Sequence, residues 1–297
     1  MLTNQMRLDG LDHVTAITAD GQRCLDFYAG VLGLEFVGHR RDFEAPESHL
    51  LGLAPDRGRP AGILNFIEAP GVARGRAGNG MVHTLSWSVF RSSLKYWAGR
   101  LAEAGIESRP ILSGGTVEGV RFADPEGLAH ELIVDQAASG VELAGSSSAV
   151  PAEHAIGRLR GVRAYGRAGV SSADILAGRL GFVLIARDAY EVRGAGRTSA
   201  FAFDEPPAGR PVIGAGTIHH VAWAAAGGLG AWRQRVIGLG CRATPVIDRD
   251  HRRSIYFREP SGVLFEIAVR QPGEAYEGTS PNRRRISPKV DPRVALV

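Results

Sequence analysis

The chain has little that would anchor it anywhere in particular. No apolar run approaches the ~18 residues needed to span a bilayer, and the opening MLTNQMRLDG lacks the basic and apolar regions of a secretory leader. The expectation is a cytoplasmic protein with no membrane association. Cysteine is almost absent: Cys24 and Cys241 are too few and too far apart for a disulfide framework or a cysteine metal site, so both read as buried free thiols. Charge of one sign is not concentrated either. The formal net charge is +4 and the pI about 9.4, but the only dense basic runs are RDHRR, from Arg249 to Arg253, and NRRR, from Asn282 to Arg285. This does not make a nucleic-acid footprint.

What is present is repetition. A strand-like segment occurs four times, at Leu11–Thr18, Met81–Val89, Leu159–Gly166 and Ile218–Ala225. A helix-like stretch follows each copy, at Gln22–Leu32, Ser93–Ala104, Ala173–Leu180 and Gly230–Ile237, and three of these close on a glycine suited to a helix C-terminus. Short β-branched or alternating runs come next, such as Gly62–Glu68, Val117–Ala123, Ser199–Asp204 and Ser254–Arg258. Each unit therefore reads as βαβββ, an α+β pattern, and the spacing of roughly 60–80 residues suits paired half-domains rather than a solenoid. The chain of 297 residues, 44% hydrophobic and 22% charged, is sized for about two domains. The expected division is a first domain at 1–140 (modules one and two), a linker at 141–156, a second domain at 157–270 (modules three and four) and a tail at 271–297.

The repeats carry chemistry. Aligned by eye, LDHVTAIT, MVHTLSWS and IHHVAWAA share a histidine (His13, His83, His220), whereas LRGVRAYG has Gly161 there. RFADPEGLAHELIVD and YFREPSGVLFEIAVR each contribute a glutamate, Glu131 and Glu266. Two histidines and one carboxylate on a single face leave open positions on a divalent metal, as ferrous chemistry with two bound partners requires. Glu266, inside the apolar run FEIAV, is costly to bury unless paired or metal-bound. Two sets compete, His13 with His220 and Glu266, and His13 with His83 and Glu131. The remaining histidines, His39, His49, His130, His154 and His251, share no register and read as surface or locally hydrogen-bonded residues, and the four tryptophans read as core or cavity wall.

Together HVTAIT, DFYAGVLGL, GRAGNGMVH, GTIHHVAW and RSIYFREPSGVLFEIA resemble the vicinal oxygen chelate superfamily, which includes glyoxalases, bleomycin-resistance proteins and extradiol dioxygenases. Over about residues 8–270 they resemble most its ring-cleaving branch, including the hydroquinone dioxygenases. The resemblance implies four modules forming two glyoxalase-like domains, with curved mixed sheets around a metal cavity. It implies iron(II), with manganese(II) as the alternative, held by His13, His220 and Glu266. It further implies a small aromatic substrate of hydroquinone or catechol type, dioxygen as co-substrate, and polar residues around the substrate at Thr15, His219, Arg249 and Tyr256. One departure stands out: the family commonly has paired histidines on the first strand, whereas Asp12 precedes His13 here. Two other readings are a glyoxalase-like metal-dependent isomerase or lyase and a non-catalytic binder of an aromatic or antibiotic. The first would want a fourth carboxylate ligand, and the first module's counterpart of Glu266 falls near Phe66, which is none. A homodimer is the default oligomer.

Overall fold

The computed structural model describes residues 6–41, 49–55, 62–135, 149–166, 172–194, 198–249 and 252–270. The first half of the expected linker, 141–148, and the whole tail at 271–297 lie outside them. Among the described residues no helix is long and apolar enough to cross a membrane.

Four βαβββ modules follow one another. The first holds β1 (Leu8–Thr18), α1 (Gly21–Leu25, continued by a π-helical turn at Asp26–Val31), β2 (Glu35–Arg41), β3 (His49–Ala54) and β4 (Ile63–Glu68). The second runs through β5 (Val82–Val89), α2 (Leu94–Glu103), β6 (Ser108–Ser113), β7 (Thr116–Ala123) and β8 (Ala129–Val134). In the third are β9 (Leu159–Tyr165), α3 (Ser172–Arg179), β10 (Val183–Ala186), β11 (Ala189–Arg193) and β12 (Thr198–Asp204). The fourth comprises β13 (Ile218–Ala225), α4 (Leu229–Gly238), β14 (Ile247–Arg249), β15 (Arg252–Arg258) and β16 (Leu264–Arg270). All four helical segments, not three, end on a glycine with positive φ: Gly33, Gly105, Gly181 and Gly240. A side chain would be strained there, and the chain closes each helix by a backward bond such as Ile106 N–H to Leu101 O at 2.8 Å.

The modules combine into two eight-stranded mixed sheets, ordered β14-β15-β16-β13-β1-β4-β3-β2 and β10-β11-β12-β9-β5-β8-β7-β6. The first sheet joins the first and fourth modules through the antiparallel β1–β13 pair, and the second joins the second and third through β5–β9. The sheets thus cut across the division at 1–140 and 157–270. Nothing in a strand's own pattern names its partner module, because backbone hydrogen bonding is common to all of them.

Alternation sorts each strand into two faces. In the first sheet Val14, Leu64, Val221, Trp223, Phe265 and Ile267 join the apolar core, while His13, Thr15, His220 and Glu266 take the other face. Trp87, Trp97, Trp223 and Trp232 are all fully buried. Cys24 is buried, Cys241 is half-buried, and neither forms a disulfide. Two turn carboxylates fix the ends of the last hairpins of modules two and four. Asp124 accepts the N–H groups of Glu126 and Leu128, and Glu259 those of Ser261 and Val263.

Candidate metal centre

The site grows from a bulge that every module repeats. Between Leu11 and His13 strand β1 advances two residues while β13 advances one, which leaves Asp12 as the extra residue. On β13 the extra residue is His219, between His220 and Ile218; on β5 it is His83, and on β9 it is Arg160. A bulge bends the strand and re-aims the side chain it carries. In three of the modules that side chain turns onto its own successor: Asp12 Oδ1 lies 2.8 Å from His13 Nδ1, His219 Nδ1 2.8 Å from His220 Nδ1, and Thr84 Oγ1 2.8 Å from His83 Nδ1.

This corrects the alignment by eye. His83 matches His219, not His220, and the residue at the level of His220 in the second module is Thr84. The parallel pairs agree. Ala222, two beyond His220, stands opposite Glu266; Ser86, two beyond Thr84, stands opposite Glu131. In the first module Thr15, two beyond His13, faces Asn65. The buried Asn65, rather than Phe66, is therefore the counterpart of Glu266. The signal was present in the sequence, since Gly80 to Trp87 and Gly216 to Trp223 have equal spacing.

The first sheet brings His13, His220 and Glu266 together, all buried. Oε2 of Glu266 is 3.2 Å from His13 Nε2 and 3.0 Å from His220 Nε2, and the two Nε2 atoms are 3.3 Å apart. Donors about 2.1 Å from a cation and at right angles to one another stand about 3.0 Å apart. The three atoms therefore have the spacing of one triangular face of an octahedron. Asp12, as a carboxylate, only accepts, which places the proton of His13 on Nδ1 and the lone pair on Nε2, the nitrogen that the donor Arg252 Nη1 also approaches, at 3.3 Å. Oε2 of Glu266 has no hydrogen bond of sound geometry among the described residues. Converging lone pairs and an orphaned buried carboxylate oxygen fit a divalent cation. Burial alone would raise the Glu266 carboxyl, but the two imidazoles, in the forms that donate N–H to it rather than a lone pair to a metal, outweigh burial and hold it well below the usual carboxylate range.

Around this centre Thr15 is buried directly across from His220. Tyr256 stands opposite Glu266 on β15, its ring 5.4 Å from that of His220 and edge-on to it. His219 and His220 line a cavity of about 380 Å³ at the seam of the two sheets, with Met81, Ile213, Arg258 and Leu264 among its walls. Arg249 ends the outermost strand β14, paired in register with Arg252; its side chain lies outside the described residues. Two arginines went unnoticed in the sequence reading. Arg270 Nε lies 2.6 Å from Asp12 Oδ2, and the buried Arg252 places Nη2 3.4 Å from Asp12 Oδ1 and Nη1 3.1 Å from His13 Nδ1. Nothing in the sequence marks these two among its many arginines.

The rival set is not assembled. His83 binds Asp204 at 3.0 Å and stacks on Tyr165, while Glu131 binds Arg121 and Ser86 within the second sheet. The levels of the two histidines are filled there by Thr84 and Gly161, so charge pairing takes the place of a metal cluster. His130 is wholly buried, accepting from Trp87 Nε1 at 3.1 Å with Tyr28 Oη 2.8 Å from its other nitrogen.

Comparison with known proteins agrees with this architecture. Residues 10–132 match the Glyoxalase/Bleomycin resistance protein/Dioxygenase superfamily. The chain is 32% identical over 275 residues to the Bacillus subtilis protein named "Putative ring-cleaving dioxygenase MhqO", covering 91% of this chain and 87% of that one. It is 27% identical over 290 residues to the chlorohydroquinone/hydroquinone 1,2-dioxygenase of Sphingobium indicum, covering 89% and 86%. A Bacillus subtilis crystal structure described as a "putative dioxygenase" superposes with a TM-score of 0.78 at 30% identity, over 90% of this chain and 87% of that one. Maize glyoxalase I shares the fold, with a TM-score of 0.65 at 16% identity over 89% and 92%. Four βαβββ modules in two eight-stranded sheets, a histidine–glutamate cluster on one of them and these full-length likenesses make this chain a member of the glyoxalase/bleomycin resistance/dioxygenase superfamily.

Proposed function

We propose that the protein is an iron(II)-dependent, extradiol-type ring-cleaving dioxygenase acting on a hydroquinone- or catechol-type aromatic. The observation that carries this reading is the triangle of His13 Nε2, His220 Nε2 and Glu266 Oε2 at 3.0–3.3 Å, with an orphaned carboxylate oxygen in it. The relatives named as ring-cleaving and hydroquinone dioxygenases support the substrate class. Bound iron(II) would acidify a ring hydroxyl as a Lewis acid and bring dioxygen beside the ring.

The chain's own residues do the rest. Three protein donors leave positions for two exogenous partners. His220, but neither His13 nor Glu266, borders the cavity walled by Met81, Val82, Ile213, Val263 and Leu264, so that cavity serves as an apolar approach to the centre. His219, on the same wall and bonded to His220, is placed to take the hydroxyl proton. Tyr256 and Thr15 flank His220 and serve to orient the substrate oxygens. An isomerase of the glyoxalase kind is disfavoured by Asn65, which puts an amide where a fourth carboxylate ligand would stand.

The test is iron stoichiometry after anaerobic reconstitution, followed by oxygen uptake with hydroquinone, its methyl and chloro derivatives, and catechol. Wild type and His83→Ala should each hold one iron and His220→Ala none, with oxygen consumed only by the iron-loaded proteins. An iron-loaded wild type that consumes no oxygen with any of these compounds would sink the dioxygenase reading.

A further inference from the structure

The two imidazoles of the centre are not held alike. His220 leans on a second imidazole, His219, at 2.8 Å. His13 leans on a carboxylate, Asp12, also at 2.8 Å. We propose that Asp12 is a positioning residue that acts through His13: it fixes the ring with Nε2 toward the metal and strengthens that nitrogen as a donor. The proposal rests on the metal reading above.

Three observations carry it. Asp12 is the bulge residue of β1, so its side chain is turned along the strand onto its successor instead of alternating away from it. It is fully buried and held at both oxygens. Arg270 Nε lies 2.6 Å from Oδ2, and Arg252 Nη2 lies 3.4 Å from Oδ1, the oxygen that also meets His13. A buried carboxylate is costly unless paired, and two guanidiniums from strands β15 and β16 supply that pairing. Asp12 is therefore both anionic and fixed in place. A carboxylate bonded to the far nitrogen of a metal-binding histidine sets its tautomer and raises its basicity, and losing such a partner typically weakens metal binding about 10–100-fold. The bulge positions of the other modules hold His83, Arg160 and His219, so the carboxylate is particular to the first module. The consequence is a metal with one strongly donating and one weaker imidazole.

The experiment uses the full chain and iron(II), with affinity read by competition against a chromophoric chelator under anaerobic conditions. Asp12→Asn should bind iron about 10–100-fold more weakly, and its Fe(III)/Fe(II) potential should rise, because a nearby negative charge favours the ferric ion. Asp12→His restores a neutral hydrogen-bonding neighbour and should recover part of the affinity while leaving the potential raised. A merely structural role would not move the potential. Arg270→Gln, at a side chain about 29% exposed, loosens Asp12 without removing it, and should weaken binding in the same direction by less; it serves if Asp12→Asn does not fold. Wild-type affinity and potential in Asp12→Asn would overturn the proposal and leave the metal reading standing. A wild type that takes up no divalent metal would overturn both.

Discussion

His130 offers a prediction whose size follows from its surroundings. The ring is fully buried between Phe122 and Trp87, accepts the indole N–H of Trp87, and meets the hydroxyl of Tyr28, which itself donates to Asp124. Burial pushes its pKa down to about 3. In the unfolded chain the same imidazole takes a proton near pH ~6.5. Between those values the unfolded state binds the extra proton, so stability is lost as pH falls through the window. From pH 8 to pH 5 this single group should remove about 2 kcal/mol of stability. The matching residue of the fourth module, one before Glu266, is Phe265, which makes His130→Phe the natural variant. Leaving the Trp87 N–H without an acceptor should cost about 1–3 kcal/mol at pH 8, while the pH dependence becomes shallower. Urea unfolding of both proteins at pH 8 and pH 5, in a chelator so that metal release plays no part, reads the difference directly. If His130→Phe loses as much stability on acidification as the wild type, the buried neutral histidine is not the cause and the reasoning fails.

Three further outcomes are expected. Glu266→Gln keeps the shape of the side chain but removes its charge from between two imidazoles, so iron retention after desalting should fall below a tenth of the wild-type level; undiminished retention would remove Glu266 from the centre. Stripping the metal should lower the melting temperature, since a ligand at 100 times its dissociation constant adds about 2.7 kcal/mol, and scanning calorimetry with and without chelator would show no shift if the centre were empty of function. Gly161→Ala places a methyl 2.6 Å from the carbonyl oxygen of Ala200 and 2.8 Å from its Cβ, which should cost about 1–3 kcal/mol by overpacking. A chemical-denaturation midpoint equal to the wild type's would show that β12 yields freely, and with it that the second sheet could accept a histidine there.

Much of the molecule was legible before any coordinates. The period of about 60–80 residues, the helix-closing glycines and the alternation of the strands are local signals, and they yielded the four βαβββ modules; the glyoxalase-like fold followed from the family resemblance. Glu266 drew attention by being a carboxylate in an apolar strand, an anomaly that local pattern exposes well. The offset of His83 by one residue had a different origin. A repeated histidine is eye-catching, but the bulge inserts a residue just before the level of His13 and His220, and only the spacing of Gly80 to Trp87 discriminates between the two alignments. Least legible were the relations between distant strands. That Arg252 and Arg270 converge on Asp12 depends on β15 and β16 lying on the far side of β13 from β1, and an arginine's own sequence neighbourhood says nothing of that.

Joining the first module to the fourth has a consequence for how the protein is made. His13 and His220 are 207 residues apart, so at about 5–20 residues per second of synthesis roughly 10–40 s separate their emergence from the ribosome. The second and third modules supply every strand of their own sheet by residue 204 and can pair while the first still waits with its partner strand unmade. During that interval β1 presents an open edge, a histidine and a buried-type carboxylate to the cell without the groups that satisfy them. The three donors of the candidate centre therefore come together only once β16 has been translated, and a nascent or prematurely terminated chain lacks the complete set.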